Sequence, residues 1–170
     1  MKKISKYYFY PIICLFIIGL IWYFIRVSNF KELDDVSPEI ECENELLKKS
    51  DILWVIPLYN NKSISENKNW CSQILSLNKT LGLHGIYHTY KELDKDRNEE
   101  YIKLGIDAFE NCFGFKPTIF KPSHLALNEN NKLLIVKNNL KPYEEFNQLT
   151  HKVYHCSDTG LFSNKLIDIF

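Results

Sequence analysis

Residues 81–89 read Leu-Gly-Leu-His-Gly-Ile-Tyr-His-Thr, an apolar run that ends in two histidines four residues apart. Gly85 between the histidines lets the backbone turn sharply, which favours a strand ending in a loop over one face of a helix. Two neutral imidazoles at this spacing can reach one divalent cation. A histidine pair alone is more often a buried or solvated pair than a metal site. Further ligands must therefore come from elsewhere in the sequence.

The sequence before this stretch has the pattern of a strand followed by a helix. Asp51 to Leu58 is an apolar run bounded by turn signals, which is typical of a strand buried on both faces. Ser63 to Thr80 carries apolar residues near helical spacing, with Ser63 or Ser65 as a possible N-cap. The order strand, helix, strand predicts a parallel sheet with right-handed crossovers.

The same alternation extends over the rest of the chain. We expect further strands over 30–36, 116–122 and 152–155, and helices over 39–49, 97–113 and 129–139. Gly114 is expected to stop the helix that precedes it. The first strand is expected to end in a loop that exposes the carboxylates of Asp34 and Asp35. Each polar motif then falls at the carboxyl end of a strand, where parallel α/β folds build their sites.

The N-terminal stretch has a different character. Residues 7–25 carry no charge, follow three lysines and have aromatic residues near both ends. A helix needs about 20 apolar residues to cross a bilayer. We interpret the stretch as an uncleaved signal anchor rather than a cleaved signal peptide, since no small-x-small cleavage site precedes Arg26. The lysines predict a cytoplasmic N-terminus. Residues 1–28 would then form a cytoplasmic stub and the membrane anchor, and residues 29–170 a lumenal or extracellular α/β domain.

Charge and cysteine content narrow the class of protein. Lys plus Arg equals Asp plus Glu, at 21 each, so we expect no nucleic-acid partner. Cys14 lies within the apolar stretch, and the other four cysteines are widely spaced. Those four could form two disulfides in an oxidising compartment or remain buried thiols, and their spacing matches no zinc knuckle.

Four polar motifs lie at the predicted strand ends, and they are Leu33-Asp34-Asp35-Val36, His84-Gly85-Ile86-Tyr87-His88, Phe120-Lys121-Pro122-Ser123-His124 and Val153-Tyr154-His155. Their order resembles that of the polysaccharide deacetylase (NodB homology) superfamily, from about Phe30 to the C-terminus. The acidic doublet and the H-x-x-x-H motif are the specific parts of the resemblance. It implies an α/β fold, a parallel-stranded, reduced or distorted (β/α) barrel of the deacetylase type.

The resemblance also implies a metal site and a general base. The first aspartate of the family doublet is the base, which is Asp34 here. The second aspartate binds the metal with the two histidines, which gives Asp35, His84 and His88. One carboxylate and two imidazoles leave open positions on a divalent metal, most favourably Zn²⁺, although other first-row metals accept the same set.

The looser motifs imply the substrate loop and the general acid. The family's Arg-Pro-Pro-Tyr loop aligns on Lys121, Pro122, Ser123 and His124, which are candidates for substrate binding. A later Leu-x-His motif supplies the general acid, which is His155 here. The implied reaction cuts an acetamide on an amino sugar of a glycan or glycolipid to an amine and acetate.

Departures from the family pattern keep two other interpretations open. Lys121 lacks the planar fork of the family's arginine, serine and histidine replace the loop's proline and tyrosine, and the domain is short for a full barrel. One alternative is a catalytically weak or inactive domain of this fold that binds carbohydrate. The other is a membrane-anchored interaction domain, which predicts that Asp35, His84 and His88 lie far apart.

Overall fold

Six parallel strands form one sheet in the computed structural model, which describes residues 6–143 and 149–169. The strand order is β5-β4-β3-β2-β1-β6. The strands are β1 (Lys31–Val36), β2 (Ile52–Val55), β3 (Thr80–His84), β4 (Ile119–Lys121), β5 (Lys141–Pro142) and β6 (Lys152–His155). Within the described residues β5 and β6 do not pair, so the sheet is an open, reduced form of a barrel. The predicted parallel α/β fold is confirmed.

Six α-helices accompany the strands among the residues that the structure describes. They are α1 (Lys6–Ser28), α2 (Asn44–Lys49), α3 (Lys68–Ser76), α4 (Glu99–Phe113), α5 (Glu129–Lys137) and α6 (Phe162–Ile169). The helices α2 to α5 each lie between two successive strands of the chain, as the alternation predicted. Gly114 ends α4 in a left-handed conformation, with φ of 80°, and its backbone N–H donates to the Glu110 carbonyl.

Helices α2 and α3 are shorter than the sequence predicted. The helix expected over 39–49 begins only at Asn44. Ser63 caps a separate 3-10 turn over Ile64–Glu66, and the Asn67 side chain, which accepts from the Trp70 N–H, caps α3 instead. Asparagine bonds readily to nearby backbone N–H groups, so the cap moves to the residue next to the helix.

The core lies between the sheet and its covering helices. Leu33, Leu53, Leu83 and Phe120 on the four central strands are fully buried, which explains their continuous apolar runs. The expectation that the acidic doublet is exposed was wrong, because Asp34 and Asp35 are buried as well. They lie on β1, which has β2 on one side and β6 on the other.

Two disulfides settle the state of the four cysteines outside α1. Cys42 bonds to Cys156, with their Cα atoms 4.6 Å apart, and Cys71 bonds to Cys112, with their Cα atoms 5.5 Å apart. The first bond ties the loop after β1 to the end of β6. The second ties α3 to α4. Cys14 is a free cysteine.

Helix α1 is the membrane-span candidate among the described residues. Tyr10–Ser28 is long and apolar enough to cross a bilayer, and none of that stretch is buried inside the protein. Near its end, the Trp22 Nε1–H donates to the Leu149 carbonyl over 2.9 Å. The helix therefore reaches the fold at the edge where the strands begin.

We predict that Gly82→Ala destabilises the fold by about 1–3 kcal/mol through overpacking. Gly82 on β3 pairs with Trp54 on β2, and an added methyl group would collide with the Trp54 indole and with Ile119. The free energy of unfolding, measured by urea denaturation, reports the loss. Gly19→Ala is the control because nothing lies within 4 Å of that position. Equal stability of the two variants would contradict the packing described here.

Candidate metal centre and its cleft

Three side chains at the carboxyl ends of β1 and β3 converge on one point. The Asp35 Oδ1 atom lies 3.1 Å from His88 Nε2 and 3.5 Å from His84 Nε2, and the two imidazole nitrogens are 3.2 Å apart. A tetrahedral zinc ion with bonds of about 2.0–2.1 Å separates its ligand atoms by about 3.3 Å. The three atoms therefore fit one face of a tetrahedron and leave the fourth direction to the cleft.

The backbone sets the orientation of His84. Its Nδ1 atom lies 3.1 Å from the Lys121 carbonyl oxygen, which can only accept a hydrogen bond. The Nδ1 atom therefore carries the proton, and Nε2 presents its lone pair to the convergence point. Such a partner on the far nitrogen is the usual support of a metal-binding histidine.

Glu92 organises the loop between the two histidines. This carboxylate is buried and accepts hydrogen bonds from the backbone N–H groups of Ile86, Tyr87 and His88, at 2.8 to 3.3 Å. Gly85 has φ of 58° and lies against it, so a β-carbon at that position would collide with the carboxylate. Gly85, which indicated a turn in the sequence, is thus also required because the backbone lies so close to the Glu92 carboxylate.

Two of the three converging residues have left-handed backbones. Asp35 has φ of 62° and His88 has φ of 59°, in a region that favours glycine. Such conformations persist where surrounding contacts impose them, and they concentrate at functional sites. At Asp35 one of those contacts is the Ser157 hydroxyl, which donates to Oδ2 over 2.5 Å.

The charges of the convergence point favour an ionised carboxylate. Burial alone would raise the pKa of Asp35, but its interactions with His84 and His88 and the hydrogen bond from Ser157 hold that pKa well below its ordinary value. Burial alone would lower the pKa of His88, whereas its contact with Asp35 raises it. The carboxylate thus attracts positive charge, as a cation site requires.

A buried ion pair holds Asp34 beside this point. The Lys121 ammonium donates to Asp34 Oδ1 over 2.8 Å and to Glu32 Oε2 over 3.0 Å. Burial alone would lower the pKa of Lys121, but the two carboxylates raise it, so the lysine is charged. Lys121 belongs to β4 and both carboxylates to β1, three places away in the sheet. A lysine spans that distance only because the sheet curls towards a barrel.

The Glu32 carboxylate has two further hydrogen-bond partners besides Lys121. Its Oε2 atom also accepts from the Trp54 indole N–H over 2.7 Å, and its Oε1 atom bonds to His151 Nδ1. Glu32, Trp54 and His151 were not predicted as parts of the site. The sequence could have indicated Glu32, because Glu32 and Asp34 are two residues apart on one strand and so face the same side.

The cleft next to the convergence point contains the remaining candidates. It has a volume of about 250 Å³ and is lined by Asp34, Asp35, His84, His88, Lys121, Pro122, His124, Leu125, His155 and Ser157. The His155 Nε2 atom lies 3.6 Å from Asp34 Oδ2. The His124 ring lies against His88, with ring centroids 5.4 Å apart.

Of the sequence candidates, the structure thus brings together all but Ser123 at the cleft. Ser123 is fully buried, and its hydroxyl donates to Glu92 Oε1 over 3.2 Å. Ser123 therefore lies behind the loop between the two histidines and does not line the cleft. The interpretation as an interaction domain, which predicted that Asp35, His84 and His88 lie far apart, was wrong.

Known structures share this fold. Neither a family model nor a curated protein matches the sequence. The peptidoglycan N-acetylglucosamine deacetylase Bc1960 superposes with a TM-score of 0.60 at 13% identity, over 82% of this chain and 78% of that protein. The family 4 carbohydrate esterase from Streptomyces lividans gives 0.51 at 11% identity, over 76% and 80%.

A protein described as a pseudoenzyme has the same fold. BA3943 from Bacillus anthracis, a CE4 family pseudoenzyme, superposes with a TM-score of 0.51 at 11% identity, over 69% of this chain. The match spans 49% of that protein, about half its length. These likenesses confirm the deacetylase-type fold that the sequence motifs predicted.

We predict that Glu92→Gln weakens zinc binding by about 10- to 100-fold, although no ligand atom is removed. The amide would present an N–H group to backbone N–H donors, which would disorganise the loop that carries both histidines. Zinc titration of the metal-free protein by calorimetry measures the effect. The control is Glu100→Gln, an exposed position in the first turn of α4. Unchanged affinity in Glu92→Gln would show that the loop needs no such support.

We predict that Lys121→Met lowers the free energy of unfolding by about 3–5 kcal/mol, because two buried carboxylates lose their cation. Adding Glu32→Gln to that variant should restore part of the loss, since one of the two charges is then gone. Lys116→Met serves as the exposed control, and we expect a change below about 0.5 kcal/mol there. Denaturant titration of the four proteins checks this, and a double variant no more stable than Lys121→Met would refute the charge argument.

Proposed function

We propose that the protein is a divalent-metal-dependent hydrolase that removes an N-acetyl or similar acyl group from an amino sugar in a glycan or glycolipid. The observation that carries the proposal is the convergence of Asp35, His84 and His88 beside a second buried carboxylate, Asp34. A site that only binds a sugar does not need a base beside the metal ligands. A hydrolytic site requires one.

The donor set fits a catalytic cation. Asp35, His84 and His88 would hold it with one oxygen and two nitrogens, and the open fourth direction is the feature that separates catalytic from structural zinc sites. The same donors also suit other first-row metals, so zinc is the proposed identity by donor type. Such a cation supplies Lewis acidity, which polarises a carbonyl and acidifies water.

Asp34 is the proposed general base. Its Oδ2 atom lies 3.9 Å from His84 Nε2, so it faces the space beside the ligand atoms, while Lys121 occupies Oδ1. The hydrogen bond from the lysine to Oδ1 stops the carboxylate from rotating. Asp34 can therefore accept a proton from a water molecule that attacks the acetamide carbon. One hydrogen bond from the lysine thus supplies the orientation that the family's arginine fork would give with two.

His155 is the proposed general acid. It is the last residue of β6, at the rim of the cleft, and it is partly exposed, so solvent can reach it. The proton it delivers goes to the nitrogen of the breaking C–N bond, which leaves as an amine while the acyl group leaves as acetate. The backbone holds this residue in place, because the His155 N–H donates to Asn164 Oδ1 over 3.0 Å.

An N-acetylated sugar suits the cleft by chemistry and by likeness. The walls carry charged and imidazole groups, which match the hydroxyl and amide groups of a sugar, and Lys121, Pro122 and His124 form one side. Bc1960, which shares the fold, is a peptidoglycan N-acetylglucosamine deacetylase. With α1 as a single-pass anchor and a cytoplasmic N-terminus, the substrate would lie in a lumen or outside the cell.

A second candidate function is a domain that binds such a sugar without cutting it. His155 favours it. Within the described residues, the carboxylate near its imidazole is that of Asp34, the proposed base, and no separate carboxylate supports His155 as an acid. The fold also occurs in the CE4 family pseudoenzyme BA3943. Both candidates require the metal donors, and turnover separates them.

We predict that Asp34→Asn retains bound metal and lowers turnover by about 10²- to 10⁴-fold, because an amide cannot accept the proton. Acetate release from N-acetylglucosamine oligosaccharides measures turnover, and elemental analysis measures metal. His84→Ala should lose the metal as well as the activity. Asp94→Asn is the control for loss of one aspartate elsewhere.

Three results would overturn the assignment. An unchanged rate in Asp34→Asn would remove the proposed base. Metal absent from the wild-type protein, even after zinc is added, would remove both candidate functions. Bound metal with saturable sugar binding and no acetate release would decide for the non-hydrolytic domain.

A further inference from the structure

All six strands run in the same direction, so they begin at one edge of the sheet, which we name the basal edge. Helix α1 ends at Ser28 and β1 begins at Lys31, so the chain passes from the membrane-span candidate into this edge after two residues. Trp22 also bonds there, to Leu149, which lies three residues before β6. A bilayer crossed by α1 therefore faces the basal edge.

The basal edge is rich in lysine. The lysines lie at the first residue of a strand, in the segment just before one or in the last turn of α2, and we name them the basal lysines: Lys31, Lys48, Lys49, Lys79, Lys116, Lys141 and Lys152. Lys31 and Lys152 are direct partners on neighbouring strands. The pKa of Lys152 is lowered by burial and further by Lys31, Arg26 and Lys49, although Asp168 opposes this. Like charges are thus crowded here without full compensation.

Among the described residues, three carboxylates near the basal edge already contact a basal lysine. Asp51 accepts the Lys31 backbone N–H over 2.8 Å, and Asp168 pairs with Lys49 over 2.7 Å. Glu110 lies 3.9 Å from Lys116, whose side chain remains 69% exposed. These contacts leave the basal edge cationic.

The charge balance of the opposite edge is reversed. Acidic residues dominate the loops after the strands and the first turn of α4, and they include Glu39, Glu41, Glu43, Asp94, Asp96, Glu99, Glu100 and Asp158. The zero net charge of the chain therefore conceals a separation of charge along the strand direction. Such a separation orients a protein against a charged surface.

Large apolar side chains accompany the basal lysines. Phe30, Phe115 and Leu149 lie just before β1, β4 and β6, and they are 60%, 46% and 58% exposed. Aromatic and aliphatic groups next to lysines are the combination that enters the headgroup region of a bilayer. Exposed lysines alone, or exposed apolar side chains alone, are ordinary on a protein surface.

We propose that the basal edge lies on the anionic lipid headgroups of the membrane that α1 crosses. Helix α1 brings the edge to the bilayer, the basal lysines match anionic headgroups in charge, and the three apolar side chains reach between them. The cleft then opens away from the lipid, since Asp35 is four residues beyond Lys31, or about 13 Å along the strand at 3.3 Å per residue.

The test uses the full chain in nanodiscs of phosphatidylcholine, with or without phosphatidylglycerol. Amine labelling, read by mass spectrometry, gives the modification rate of each lysine. We expect anionic discs to slow labelling of exposed Lys48, Lys116 and Lys141 about threefold or more, and molar salt to abolish the difference. Lys91 and Lys95 at the opposite edge should label equally in both discs.

Two charge-reversed variants make the test specific. In Lys48→Glu/Lys116→Glu/Lys141→Glu the remaining basal lysines should label at the same rate in both discs. The matched variant Lys62→Glu/Lys91→Glu/Lys95→Glu, at the opposite edge, should keep the lipid-dependent protection. Circular dichroism confirms that both variants fold.

Several outcomes would overturn the proposal. One is equal labelling of the basal lysines in the two discs, and another is protection that survives in the basal variant. Protection that rises with the number of protein chains per disc would identify a second copy of the chain as the partner. A chain that does not float with vesicles of either lipid would show that α1 is no anchor, and this proposal would fail with it while the proposed hydrolase activity would stand.

Discussion

The structure depends on charge balance in the interior of a curled sheet. A buried lysine on β4, Lys121, lies between two buried carboxylates on β1, Glu32 and Asp34. None of the three could be buried alone, because the loss of water around an isolated charge costs several kcal/mol. Together they connect strands three places apart, so the same ion pairs that position Asp34 also favour the curvature of the sheet.

The metal donors rely on a second set of contacts, which act on the backbone rather than on charge. Glu92 binds three consecutive backbone N–H groups of the histidine loop, and the Lys121 carbonyl orients His84. The Cys42–Cys156 disulfide joins the loop after Asp35 to the segment after His155. The site is therefore assembled from strand ends that are far apart in the sequence and are held by contacts outside the cleft.

In the motif that the sequence resembles, an arginine stands at the position of Lys121, and the structure shows what a lysine does at this position. An arginine fork can bind one carboxylate with two hydrogen bonds, whereas an ammonium group divides its hydrogen bonds between two carboxylates. Here the second carboxylate, Glu32, is fixed by Trp54 and His151. Lys121 is therefore part of a consistent local arrangement, in which one cation is matched by two carboxylates.

The sequence by itself determined the parallel α/β fold, the strand-end position of Asp34, Asp35, His84 and His88, and the stop at Gly114, because these follow from local periodicity and turn chemistry. It did not show the two-residue strand β5, which is too short to have a period. Tertiary structure alone decided that the acidic doublet is buried, which cysteines pair, and that Glu32, Glu92 and His151 support the site. Those outcomes depend on which side chains meet across the curled sheet, and contacts between residues as distant as Glu32 and His151 leave no spacing pattern in the sequence.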